Sequence, residues 1–165
     1  MRGDARSAGL AVLLLCCAAP GLGGQSVVSG VVRSGGGVVG GAAVYLVALG
    51  EAGAPIVGGS TTIDQVHLSF VPNVAVVPPG TEVSFLNSDD VLHNVFGPGL
   101  SGVDGFDLGT YPRNDSRSWV FEQEGLHIVL CHIHPEMAAF IIVAGTQHRA
   151  YTASDGSFAI EKNEW

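Results

Sequence analysis

Residues 125–143 read GLHIVLCHIHPEMAAFIIV. An apolar, β-branched run from Leu126 to Cys131 stops at a loop containing Pro135, and a second run, Phe140 to Val143, begins a few residues later. Both are of strand length and too short for a helix of ordinary size. Between and at their ends, Cys131, His132, His134 and Met137 fall within seven positions. A strand that ends in such a donor set and is followed directly by another strand places chemistry in the connection between two strands.

The rest of the chain has the same build. Short β-branched or aromatic segments recur at Val27 to Val32, Ala43 to Val47, Val66 to Phe70, Val74 to Val77, Glu82 to Leu86 and Trp119 to Phe121. Turn chemistry separates them, as in Ser34-Gly35-Gly36-Gly37, Pro78-Pro79-Gly80 and Glu124-Gly125. No sustained 3.6-residue periodicity and no internal repeat interrupt this pattern. It predicts an all-β Greek-key β-sandwich or barrel with extra N-terminal β-strands. Residues 25–60 are Gly-, Val- and Ala-rich with almost no charge and form one expected β segment. Residues 61–145 hold five of the six histidines and are the expected principal domain. Residues 146–165 resume strand-like alternation around Asp155-Gly156 and stop at Trp165.

The first 24 residues carry Arg2 and Arg6, an apolar run from about Leu10 to Ala19, then small residues and Pro20. This is the build of a cleavable signal peptide, and the run is too short to span a bilayer. Cleavage near Gly24 predicts a secreted or periplasmic protein. Acylation at Cys16 or Cys17 is disfavoured, because Leu15 or Cys16 would stand where a small residue is expected. Loss of Arg2, Asp4 and Arg6 takes the basic residues from 7 to 5 and the acidic ones from 15 to 14, leaving a net charge of −9. That balance argues against nucleic acid, and nothing later in the chain reads as a membrane span. Solubility accounts for the acidity more simply than a steering role does. The mature chain keeps one cysteine, Cys131, which can form no internal disulfide. A lone exported thiol calls for burial or for use as a ligand.

Thiolate and thioether ligands favour copper, imidazole suits copper or zinc, and two histidines with one cysteine and a long axial methionine describe a blue-copper electron-transfer site. Cys131, His134 and Met137 stand at i, i+3 and i+6. One more histidine has to come from another strand. In SFLNSDDVLHNVFG the candidate is His93, which follows the polar turn Asn87-Ser88-Asp89-Asp90 and precedes Cys131 by 38 residues.

With CHIHPEM at 131–137 and FLNSDDVLHNV at 85–95, residues 61–145 resemble the cupredoxins, the type 1 blue copper proteins. The short C-x-x-H-x-x-M loop is similar to that of amicyanin rather than to the longer one of plastocyanin. The resemblance implies His93, Cys131 and His134 as equatorial copper ligands, Met137 as the axial one, and one copper, Cu(I)/Cu(II), per chain. It implies that Asn94 supports the cysteine loop by hydrogen bonding, and that the protein is a one-electron carrier and not an enzyme. The implied partner is a redox protein such as a c-type cytochrome or a periplasmic dehydrogenase, with no nucleic acid and no membrane span; a monomer is expected. Ala138, Ala139, Pro98 and Leu100 are expected to form its docking patch. The flanking stretches SGVVRSGGGVVGGAAVYLVAL and AYTASDGSFAI resemble a carboxypeptidase-regulatory-like sandwich.

Plainer readings stand beside these. Cys131 alone would be a buried small hydrophobe, His93 alone a capping residue, and Met137 alone core filling. His132 should face away from Cys131 and lie near the surface. His67, His127 and His148 have no partnered spacing and read as structural or solvent-facing. Asp89, Asp90, Asp104 and Asp107 read as solvated loop carboxylates, with Asp89 also able to hold its turn by bonding its own backbone. No G-x-S-x-G or H-E-x-x-H occurs, so hydrolysis has no machinery. The alternatives to an electron carrier are a periplasmic copper-binding or copper-handling protein and a structural metal-binding β-sandwich.

Overall fold

The computed structural model of the chain describes residues 26–49, 56, 58–100 and 102–162. The expected leader lies outside them. Among the described residues there are fifteen strands and no helix, so the all-β expectation holds. The chain divides into two compact units, one of residues up to 46 with those from 148 on, the other of residues 47–147.

The first unit opens with the extra N-terminal strands β1 (Ser26–Val31), β2 (Arg33–Ser34), β3 (Gly37–Val38) and β4 (Ala43–Tyr45). Residues 47–147 carry β5 (Ser60–Gln65), β6 (Phe70–Val71), β7 (Val74–Val77), β8 (Thr81–Asn87), β9 (His93–Gly97), β10 (Phe106–Tyr111), β11 (Ser116–Phe121), β12 (Gly125–Leu130) and β13 (Ala138–Val143). The chain then completes the first unit with β14 (Arg149–Tyr151) and β15 (Ser157–Lys162). There β1 pairs with β15, β14 with β4 and β2 with β3, all antiparallel. Thr152 adds a side-chain tie, accepting from the Ala42 amide and donating to the Val39 carbonyl at 2.9 and 2.6 Å.

The 47–147 unit is a sandwich of two sheets, ordered β10-β9-β12-β13-β7 and β11-β8-β5-β6. Strand period 2 decides its interior. Val83 and Phe85 of β8 point inward together with Ile63 of β5 and Phe121 of β11. They meet Val95, Val129, Ala139, Ile141 and Val143 of the opposite sheet in one apolar cluster. Burying each such side chain contributes on the order of 2 kcal/mol. The same alternation continues out of β12. His127 and Val129 are buried, so is Cys131, and His132 turns to solvent.

Two departures from the sequence reading follow from polar chemistry. The segment 66–70, expected as one strand, is a turn over residues 66–69, in which Val66 and Ser69 exchange backbone bonds of 2.9 and 3.1 Å, with β5 before it and β6 beginning at Phe70. Its preceding strand, β5, reads STTIDQ and has no apolar alternation to announce it. It lies inside the sheet because it pairs in parallel with β8 from Ser60 to Gln65. The Nε2 of its buried Gln65 donates to Tyr111 Oη at 2.7 Å and to the Leu86 carbonyl, while its Oε1 is left without a partner. The Tyr111 hydroxyl in turn donates to the Phe85 carbonyl at 2.9 Å, and burial pushes its pKa up.

Candidate metal centre

Two strand ends and the loop between β12 and β13 build the site. His93 begins β9 and is fully buried, Cys131 follows the last residue of β12 and is buried, and His134 stands half-buried in the loop that returns to β13. Ligand atoms of the three lie within 4.8 Å of one another. Cys131 Sγ is 4.0 Å from His93 Nδ1 and 3.9 Å from His134 Nδ1, and the two Nδ1 atoms are 3.1 Å apart. In a triangle with those edges, one point lies about 2.0 Å from both nitrogens and about 2.4 Å from sulfur, close to ordinary transition-metal distances to imidazole and thiolate. Soft sulfur with two imidazoles in a trigonal set suits copper. The donor set and its spacing therefore fit the metal.

Met137 is buried, and its amide donates to the His134 carbonyl at 3.0 Å. The turn His134-Pro135-Glu136-Met137 thus fixes these two residues to each other through the backbone and carries the chain back into β13.

Hydrogen bonds hold the donors from behind. The Asn94 amide donates to Cys131 Sγ at 3.4 Å, and the His132 amide donates to Asn94 Oδ1 at 3.3 Å, so Asn94 ties β9 to the cysteine loop. Asn94 Nδ2 donates to Asp107 Oδ1 at 2.8 Å. Asp107 is aimed by a bulge in β10, where Gly109 takes φ +72° and gives its amide to the same oxygen at 2.8 Å. The Gly109 amide and the Asn94 side chain hold the Asp107 carboxyl below its ordinary pKa.

His93 Nε2 lies 2.9 Å from Asp89 Oδ2. A carboxylate at that distance can accept from Nε2–H, and in that form the Nδ1 lone pair faces Cys131 and His134. Asp89 also accepts the His67 and Leu68 amides at 2.7 and 2.9 Å. Burial works to raise its pKa, but the bonds from Leu68, His93 and His67 outweigh it and the carboxyl lies below its usual value. Asp89 is therefore not a solvated loop acid; its carboxylate bonds other segments of the chain. Only the position of Asp89, four residues before His93, could have flagged it in the sequence.

The remaining histidines scatter. His132 is exposed, stacks on Phe96 with ring centroids 3.6 Å apart, and approaches Asp107 at 3.6 Å. His67 is exposed in its turn, while buried His127 bonds the Gln123 carbonyl at 2.7 Å. His148, half-buried, belongs to the other unit. The expected docking patch needs two corrections. Ala139 faces the core with no exposed surface, because inward positions alternate along β13; Pro98 and Leu100 are exposed but follow the end of β9 opposite to His93, near His127 and Ile128 and away from the ligand loop, and Ala138 is half-buried.

No protein-family model matches the chain, and no curated protein does. Solved structures do. The copper-containing nitrite reductase of Thermus scotoductus SA-01 matches at 25% identity over 62% of this chain and 26% of that one, TM-score 0.48. Amicyanin from Paracoccus versutus matches at 20% identity over 52% and 81%, TM-score 0.47. A purple cupredoxin from Nitrosopumilus maritimus matches at 25% identity over 50% and 98%, TM-score 0.46. This chain spans about a quarter of the nitrite reductase chain. The chemistry of the site stands on its own donor geometry.

Proposed function

We propose that the protein is an exported type 1 copper protein that carries single electrons between redox partners. The observation that carries this reading is the triangle of His93 Nδ1, His134 Nδ1 and Cys131 Sγ, with edges of 3.1, 3.9 and 4.0 Å. One copper ion per chain, held there, supplies a one-electron couple at a soft-sulfur site. Met137 is the weaker axial donor.

The chain's own residues give the site its properties. His93 and Cys131 are anchored at the ends of strands and packed in or against the core, so their positions change little with the charge they surround. The Asn94 amide, donating to Sγ, favours the thiolate over the thiol. His134 is the half-exposed member and forms the edge through which electrons enter and leave. The exposed surface around it receives a redox protein such as a c-type cytochrome or a periplasmic dehydrogenase. The chain turns over no substrate and works as a monomer. Residues 61–145 form the copper domain, residues 25–60 and 146–165 flank it, and residues 1–24 direct export and are removed.

The test is a visible absorption spectrum of the full chain after addition of Cu(II), with Cys131→Ser alongside. An intense thiolate-to-copper band that vanishes in the variant is expected. A colourless wild type overturns the reading, and so does a band that survives Cys131→Ser.

A further inference from the structure

Asp89 joins two features that neither the fold nor the ligand triangle explains. The first is the turn between β5 and β6. His67 and Leu68 are consecutive non-glycine residues at φ 52° and 56°, a left-handed conformation that costs roughly 1 kcal/mol or more for each such residue. Such a turn persists where its surroundings fix it. Its two amides converge on one carboxylate, His67 on Oδ1 at 2.7 Å and Leu68 on Oδ2 at 2.9 Å. The second feature is the far edge of His93, whose Nε2 meets the same Oδ2 at 2.9 Å. Asp89 is itself placed by Asn87, whose Oδ1 accepts the Asp89 amide at 3.0 Å while its Nδ2 donates to the Val91 carbonyl at 2.9 Å.

The carboxylate side chain is only 13% exposed, so its charge is poorly screened at the distance of His93. Two fixed amide donors keep it from rotating away. A hydrogen bond from imidazole to an ionised carboxylate raises the basicity of the other ring nitrogen and fixes the ring's orientation. A more basic Nδ1 stabilises the more positively charged oxidation state of a bound metal.

Resting on the copper reading of the site, we propose that Asp89 is its positioning residue: it sets His93 as the Nε2–H tautomer and lowers the reduction potential of the centre. The β5–β6 turn is the clamp that holds this carboxylate in place. A clamp that served only to tie the turn to the 87–92 loop would leave both the tautomer and the potential indifferent to the charge of Asp89.

The experiment compares the full-length wild type with Asp89→Asn and Asp89→Ala. Asp89→Asn is nearly isosteric; with its amide oxygen at the Oδ2 position it keeps the bonds to His93 and Leu68, removes the charge and gives up the bond from the His67 amide, which would face the Nδ2 donor. Nitrogen chemical shifts of His93, measured without metal, report the tautomer. The wild type should show Nε2 protonated alone, and Asp89→Ala a mixture. After Cu(II) loading, Asp89→Asn should keep the thiolate band, show a higher reduction potential, and bind copper about 10- to 100-fold more weakly. An unchanged potential in Asp89→Asn overturns the redox role. A single Nε2–H tautomer retained in Asp89→Ala overturns the positioning role, and if that variant does not fold, a wild type with Nδ1 protonated does so instead. Absence of the band from the wild type overturns the copper reading and the redox role with it, while the metal-free tautomer still decides the positioning role by itself.

Discussion

Asn94 makes three contacts that matter at the scale of single residues. Its backbone amide reaches the Cys131 sulfur, its Oδ1 accepts the His132 amide, its Nδ2 donates to Asp107, and its side chain is buried. Asn94→Ala removes the side-chain bonds and leaves the His132 amide without its acceptor, while the backbone contact to sulfur remains. We expect copper binding about tenfold weaker, read by competition with a chelator. The cost to folding should be only on the order of 1 kcal/mol, read from a denaturant melt. Binding unchanged within error would show that the loop holds its shape without this strut. Asn94 was reached only through the resemblance of its surroundings to the cupredoxins, whereas His93, Cys131 and His134 were legible in the sequence as candidate donors, since the donor types are rare in this chain and Cys131 and His134 stand three residues apart. Asp89 was not. Its amide partners, His67 and Leu68, lie about twenty residues away, and their convergence depends on a turn whose left-handed backbone is not written in its residue types.

The strands were legible to the extent that their side chains alternate. Residues 74–77, 82–86, 119–121, 126–131 and 140–143 fall within or overlap the strands observed, because each buries an apolar face that period 2 exposes in the sequence. Three strands of the 47–147 unit were invisible for physical reasons. β5 is polar and lies inside its sheet by virtue of parallel pairing with β8. β9 begins with His93 and Asn94, whose burial is recompensed by hydrogen bonds rather than by apolar contact. β10 is broken by the bulge between Asp107 and Thr110. The β9–β10 pair also shows why a glycine stands at 97. A Cβ there would come 2.5 Å from Phe106 Cε1 and 3.2 Å from the Ile128 carbonyl oxygen. Phe106 cannot simply move, since it stacks on Trp119 with centroids 5.0 Å apart and meets Phe121 edge-on at 5.7 Å. Gly97→Ala should therefore destabilise the protein by about 1–3 kcal/mol, measured by chemical denaturation. A neutral result would mean that the aromatic trio repacks freely.

For the whole molecule, acid is the informative stress. Asp89 and Asp107 in the 47–147 unit, and Asp155 in the other, all have carboxyl pKa values below the ordinary 3.8. Asp155 is lowered by its bonds to Ser157, including the Ser157 amide at 2.9 Å. A depressed folded-state pKa means that the unfolded chain binds protons the native chain refuses. The stability each group contributes is thus fully present above about pH 4 to 5, and is lost as pH falls through the lower, folded value. Many other groups titrate in the same range, so the parent melting curve cannot by itself assign the loss. Asp107→Asn isolates one of them, since it removes the titrating charge and leaves an amide oxygen that can still accept from Asn94 or Gly109. Thermal midpoints of the metal-free parent and variant, compared between pH 7 and pH 2, should differ most at neutral pH. The gap should close on acidification below about pH 4, where the parent's Asp107 takes up its proton and ceases to differ in charge from the amide. A gap that stays constant to pH 2 would mean that the carboxylate's charge contributes nothing, and that Asp107 supports Asn94 through hydrogen-bond geometry alone.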